Sequence, residues 1–167
     1  MAESLRDILD AAARGVFPPA DGGTSIVPQF GGRDAGVIAF TAHSVVFTDE
    51  ADEGWMRGTL ASLRCDPLAA TMNSRFLAAF AERTGRVTDT IDVLLTGAPL
   101  PGRPDVVLRE VADPGHPRVV AARRRRDGVR VWAVDGGVLV LGRGVAGRLE
   151  VAVEVAEGAR HRGLGRR

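Results

Sequence analysis

Eight residues near the middle of the chain, Gly97-Ala98-Pro99-Leu100-Pro101-Gly102-Arg103-Pro104, hold three prolines and two glycines. Proline removes a backbone donor and clashes with a preceding helical turn, so neither a helix interior nor a central strand can run through this stretch. The 167 residues therefore read as two segments, a mixed α/β region over 1–104 and a second region over 105–167. Charge divides at nearly the same place. Residues 1–100 carry 8 Arg against 13 Asp and Glu, a net −5, whereas residues 101–167 carry 14 Arg against 8, a net +6. An anionic ligand is to be sought in the second segment.

In the first segment, Leu5, Ile8, Leu9 and Ala12 recur at helical spacing over 4–14. Ser4 is the N-cap, and Asp7 completes a capping box. Short apolar runs at 24–28, 36–40 and 44–47, bounded by Gly and Asp, read as strands. Helical spacing returns at 53–64 and at 74–84, where Phe76, Leu77 and Phe80 form a stripe closed by Gly85. Val87 to Leu95 alternates in its first half and reads as a further strand. After the break come a strand at 105–110, a helix at 115–126 and three strands at 128–134, 137–142 and 148–156. Asp135-Gly136-Gly137 supplies a tight hairpin turn, and Gly144 to Gly147 a second reversal. In the last strand Leu149, Val151, Val153 and Val155 share one face, opposite Glu150, Ala152, Glu154 and Ala156. That alternation predicts a strand half-buried on its valine side. The fold class expected is α/β in the broad sense, a mixed and largely antiparallel sheet flanked by helices.

Composition excludes several chemistries. All 22 basic residues are Arg and there is no Tyr, so no Lys nucleophile, Schiff base or Tyr general acid exists within this chain. The single Cys, Cys65, makes no internal disulfide, and the scattered His and Cys give no metal set. An acidic start at Met1-Ala2-Glu3-Ser4 does not read as a secretory signal, and no 18-residue apolar run is present for a membrane span. A cytoplasmic protein without a membrane partner is the expectation.

The last strand runs into Ala156-Glu157-Gly158-Ala159-Arg160-His161-Arg162-Gly163-Leu164-Gly165-Arg166-Arg167. Two glycines in Arg160-x-x-Gly163-x-Gly165 let backbone N–H groups face one concavity without Cβ atoms in the way, and Arg adds positive potential. A helix opening near Gly163 would add its free amides to the same anion site. At these residues the sequence resembles the GNAT family of N-acetyltransferases, whose motif is a strand, then R/Q-x-x-G-x-G/A, then a helix. The upstream order over 105–167 (strand, helix, three antiparallel strands) is similar to that family too.

The resemblance implies acetyl-coenzyme A as co-substrate, with its pyrophosphate held around Val155, Arg160, His161, Arg162, Gly163, Leu164 and Gly165. It implies direct attack of an amine, small-molecule or peptide, on the thioester, with no acyl-enzyme. It also implies a general base on the last strand, for which Glu154 is the candidate and Glu150 the lesser one. The two lie four residues apart, about 13 Å along a strand, too far to cooperate. Because the chain ends two residues past Gly165, residues 105–167 match the first part of such a domain, which by itself is expected to be weakly active or inactive. The alternative is a non-catalytic acyl-coenzyme A-binding or protein-interaction module. A shortened sheet would expose an edge and invite a homodimer.

Other signals read more plainly. Gly142-Arg143-Gly144-Val145-Ala146-Gly147 matches G-x-G-x-x-G, but the alternating strand after it marks hairpin glycines rather than a dinucleotide loop. Arg123 to Arg126 close a helix, where cations meet the negative end of the dipole, and no aromatics are interleaved for base stacking. A solvated helix end without nucleic acid is the expectation there. His43 beside Ser44 has no Asp in a supporting pattern and reads as a strand residue. Trp55 and Trp132 read as core or interface residues.

Overall fold

The computed structural model describes residues 3–29, 33–49, 52–88, 91–103, 105–113 and 115–164. The chain has mixed α and β content and divides into two compact units, 1–98 and 99–167. No helix among the described residues is long and apolar enough to cross a membrane.

The first unit opens with helix α1 (Leu5–Ala12), where Ser4 and Asp7 form the reciprocal capping box and Leu5, Ile8, Leu9 and Ala12 are buried. Strands β1 (Thr24–Pro28), β2 (Gly36–Ala39) and β3 (Ser44–Thr48) follow in the order β1-β3-β2. β3 lies in the middle, parallel to β1 and antiparallel to β2, and all five of its residues are buried. Helices α2 (Glu53–Ser62), α3 (Pro67–Ala70) and α4 (Ser74–Thr84) complete the unit. Val46 of β3, Met56 of α2 and Phe76 and Phe80 of α4 make one core cluster, with Ile26, Val37, Trp55 and Leu77 packed against it. Gly85 ends α4 in the left-handed region at φ 64°, where glycine carries no Cβ penalty.

Two expectations for this unit are corrected. Of Val87 to Leu95, the described residues 87, 88 and 91–95 form no strand, and Val87 and Val93 are almost fully exposed. Alternation makes a strand only where another strand accepts its hydrogen bonds, and none does so among the described residues. His43 lies in the turn before β3 rather than in it, and its ring is buried between Asp21 and Ser25.

In the second unit β4 is reduced to Arg109–Glu110, and helix α5 (Pro117–Arg123) is capped by His116. β5 (Asp127–Val134), β6 (Gly137–Arg143) and β7 (Leu149–Val155) form antiparallel hairpins, giving the sheet order β4-β5-β6-β7. The Gly142–Gly147 stretch is the β6–β7 reversal, with Ala146 and Gly147 at positive φ. Val119 and Ala122 of α5 pack on Val131 of β5 and Val140 of β6, with Ala152 of β7 beside them.

That packing inverts the expected facing of β7. Register places Ala152 opposite Val140 on the helix side, so Leu149, Val151 and Val153 point away from the core and are exposed. Helix α5 covers this side by packing over Val131 and Val140 of the two neighbouring strands. The outer face continues through Leu139 to Trp132, over which the Arg130 guanidinium stacks at 4.7 Å. The arginine run is also more engaged than a solvated helix end: Arg126 donates to Glu150 at 2.8 Å.

Candidate anion-binding site

β7 is an edge strand, and its last residue, Val155, pairs with Gly137 at the start of β6. The next amide, Ala156 N–H, donates to the Gly136 carbonyl at 2.9 Å, which fastens the outgoing chain to the β5–β6 turn. A single 3₁₀ turn follows, Glu157–Ala159, closed by Ala159 N–H to the Ala156 carbonyl and Arg160 N–H to the Glu157 carbonyl. The backbone is extended at Arg160, left-handed at His161 (φ 64°) and left-handed again at Gly163 (φ 76°). Repeated reversal of backbone hand is how a short segment is made to curl.

The turn and the loop are matched by missing side chains. A Cβ on Gly136 would overlap the Cβ of Ala159, and one on Gly137 would come 3.0 Å from Leu164 Cδ2 and 3.2 Å from the Glu154 carbonyl. Between them lies an open cleft of about 500 Å³, lined by Asp135, Gly136, Ala156, Gly158, Ala159, Arg162 and Leu164. Its size falls in the range of small-molecule sites. Arg162 supplies positive charge to that lining and Asp135 a carboxylate of the opposite sign.

No family model, curated protein or solved structure matches the chain.

The candidate residues separate into three groups. Arg162 and Leu164 line the cleft. Val155, Arg160, His161 and Gly163 belong to its supporting backbone; the Arg160 side chain turns back, and its Nε donates to the Val155 carbonyl at 3.3 Å. Gly165 lies outside the described residues. Glu154 is placed elsewhere. It sits on the helix side of β7, opposite Val138, in an ion pair with Arg118 of α5. Glu150 is held as well: its carboxylate takes the Arg126 Nε–H at 2.8 Å and the Val145 N–H at 2.9 Å, which ties down the β6–β7 reversal. Gly144 makes room for it, since a Cβ there would overlap the carboxylate. Both glutamates thus have structural partners.

Reading the sequence missed Asp135 and the two turn glycines as parts of the site. Gly136-Gly137 signalled a hairpin, and a hairpin accounts for one glycine at positive φ, Gly136 at 75°. The second glycine was the available signal, because a two-residue turn does not require it. Among the described residues, no group of three or more His, Cys, Asp or Glu could hold a metal ion.

Proposed function

We propose that the loop after β7 binds the diphosphate of an acyl-coenzyme A, and that the chain is an N-acetyltransferase, or part of one, of the GNAT kind. One observation supports this above the others. An antiparallel edge strand runs into a loop that reverses hand at His161 and Gly163 and closes a cleft lined by Arg162 and by Gly136 of the preceding hairpin turn. A diphosphate needs several donors around one point and little side-chain bulk, and Gly158 and Gly163 supply the latter.

In this reading the loop amides and Arg162 hold the diphosphate, while Arg160 braces the end of β7 through the Val155 carbonyl. The thioester then lies along the exposed edge of β7, and an amine attacks its carbonyl directly. Glu154 acts as base only after leaving Arg118, so deprotonation by this carboxylate is coupled to opening of that pair. The same ion pair favours the second reading, a module that binds acyl-coenzyme A without turning it over.

Titration calorimetry with coenzyme A tests the placement. The wild-type chain binds, and Gly163→Glu abolishes the heat, because a carboxylate at the curl opposes the ligand's charge. Unchanged affinity in Gly163→Glu refutes the site. Release of free thiol from acetyl-coenzyme A in the presence of an amine then separates the enzyme from the binding module.

A further inference from the structure

Outside that loop, the first unit assembles three side chains that the sequence keeps apart. His43 is only 6% exposed. Its Nδ1 is 2.7 Å from Asp21 Oδ1, and its Nε2 is 2.9 Å from Ser25 Oγ. A carboxylate accepts and does not donate, so the ring proton is on Nδ1, and the Nε2 lone pair faces the Ser25 hydroxyl.

From this geometry we propose that Ser25 is a nucleophile, with His43 as its general base and Asp21 as the residue that positions the imidazole, acting on small carboxylic esters. Such a relay is recognised by geometry and role rather than by chain order, which here runs Asp, Ser, His.

Each member is held from behind. Asp21 takes the Gly23 N–H at 2.7 Å through the same Oδ1, and its carboxyl lies below the usual carboxylate range, chiefly because of the His43 hydrogen bond. The carboxylate is thus ionised at neutral pH. Ser44, next to His43, accepts a buried hydrogen bond from Thr71 Oγ1 at 2.8 Å, which pins the backbone that carries the ring. Ser25 is half-buried on β1, an edge strand of its sheet, and the Asp21 side chain is 52% exposed, so both ends of the relay reach toward solvent from a buried imidazole.

The step balances without a further reactant. Ser25 Oγ bonds to the ester carbonyl carbon as its proton passes to His43 Nε2. The tetrahedral adduct collapses, the bond from carbon to the alcohol oxygen breaks, and His43 returns the proton to that oxygen. Water then attacks acyl-Ser25 with His43 again as base, which releases the acid and restores the hydroxyl.

The test uses the full chain with p-nitrophenyl acetate and a fluorophosphonate, read by intact mass and peptide mapping. The expected result is one adduct, on Ser25, absent in Ser25→Ala and formed at least tenfold more slowly in Asp21→Asn. Labelling should slow by at least tenfold in His43→Gln as well, since that variant lacks the base. No adduct on Ser25, or equal labelling in Asp21→Asn, overturns the proposal and leaves a hydrogen-bonded clasp. If Asp21→Asn fails to fold, His43→Gln decides, and labelling of Ser25 there at the wild-type rate overturns it.

Discussion

Gly136, at the tip of the β5–β6 turn, and Ala159, in the 3₁₀ turn after β7, meet so closely that the first has no room for a Cβ. Gly136 also sits at φ 75°, which alanine rarely adopts. Gly136→Ala should therefore destabilise the second unit by about 1–3 kcal/mol and push the 157–159 turn outward. Loss of coenzyme A binding with only a modest fall in thermal midpoint would show that the contact shapes the cleft. A variant with wild-type stability and wild-type affinity would show the contact to be dispensable.

Opposite charges in the cleft lining make a paired prediction. Arg162→Gln should weaken coenzyme A binding about tenfold, and Asp135→Asn should strengthen it several-fold, since the carboxylate repels the ligand. Both effects should shrink at high salt, because the cleft is open and screened. Calorimetry at low and high ionic strength checks the signs.

Removal of Glu150 should be felt at a distance from its own strand. Glu150→Ala leaves the Val145 N–H and the Arg126 guanidinium without their acceptor, and should cost about 1–3 kcal/mol. The urea midpoint should fall with an unchanged slope, as expected when stability rather than denatured-state compactness is altered.

Acid sensitivity should run partly through Glu110. Two hydrogen bonds from Arg130, at 2.9 and 2.8 Å, hold its carboxyl below the usual range. A carboxyl with a lowered folded pKa stabilises the fold above its unfolded value of about 4.3, and that contribution fades as pH falls through the folded value. Glu110→Gln should flatten the loss of stability between roughly pH 5 and pH 2, measured by denaturant unfolding across that window. An unaltered acid limb would place the sensitivity elsewhere.

The outward side of β7 bears on self-association. Leu149, Val151 and Val153 are each more than half exposed, beside a strand edge with no neighbour in its sheet among the described residues. Such an edge templates pairing unless a charge blocks it. Sedimentation should show concentration-dependent association of the wild type, reduced in Val151→Lys.

Much of this architecture was legible because it is local. The Ser4–Asp7 capping box, the Gly85 stop and both second-unit hairpins depend on residues within a few positions of one another. What escaped depends on partners far along the chain. Alternation in β7 marked two faces correctly, but which of them is covered was decided by α5, which packs over Val131 and Val140 of the neighbouring strands on the Ala152 side. Val87 to Leu95 carried a strand pattern with no strand among the described residues to pair with. Asp21, Ser25 and His43 converge across 18 and 22 positions, a spacing that no local rule connects. In the loop after β7 the glycines announced curvature, whereas the diversion of Arg160 onto the Val155 carbonyl and of Glu154 onto Arg118 became visible only in three dimensions.

The mixed pairing of β3 sets an order of assembly. Its antiparallel partner β2 is joined to it by a short turn, whereas its parallel partner β1 lies twenty positions upstream, with β2 in between. Closing a hairpin takes microseconds, and joining a strand across an intervening element is slower. Until β1 arrives, one margin of the most deeply buried strand in the first unit is bare, so renaturation at high concentration should divert material into clumps that dilution spares.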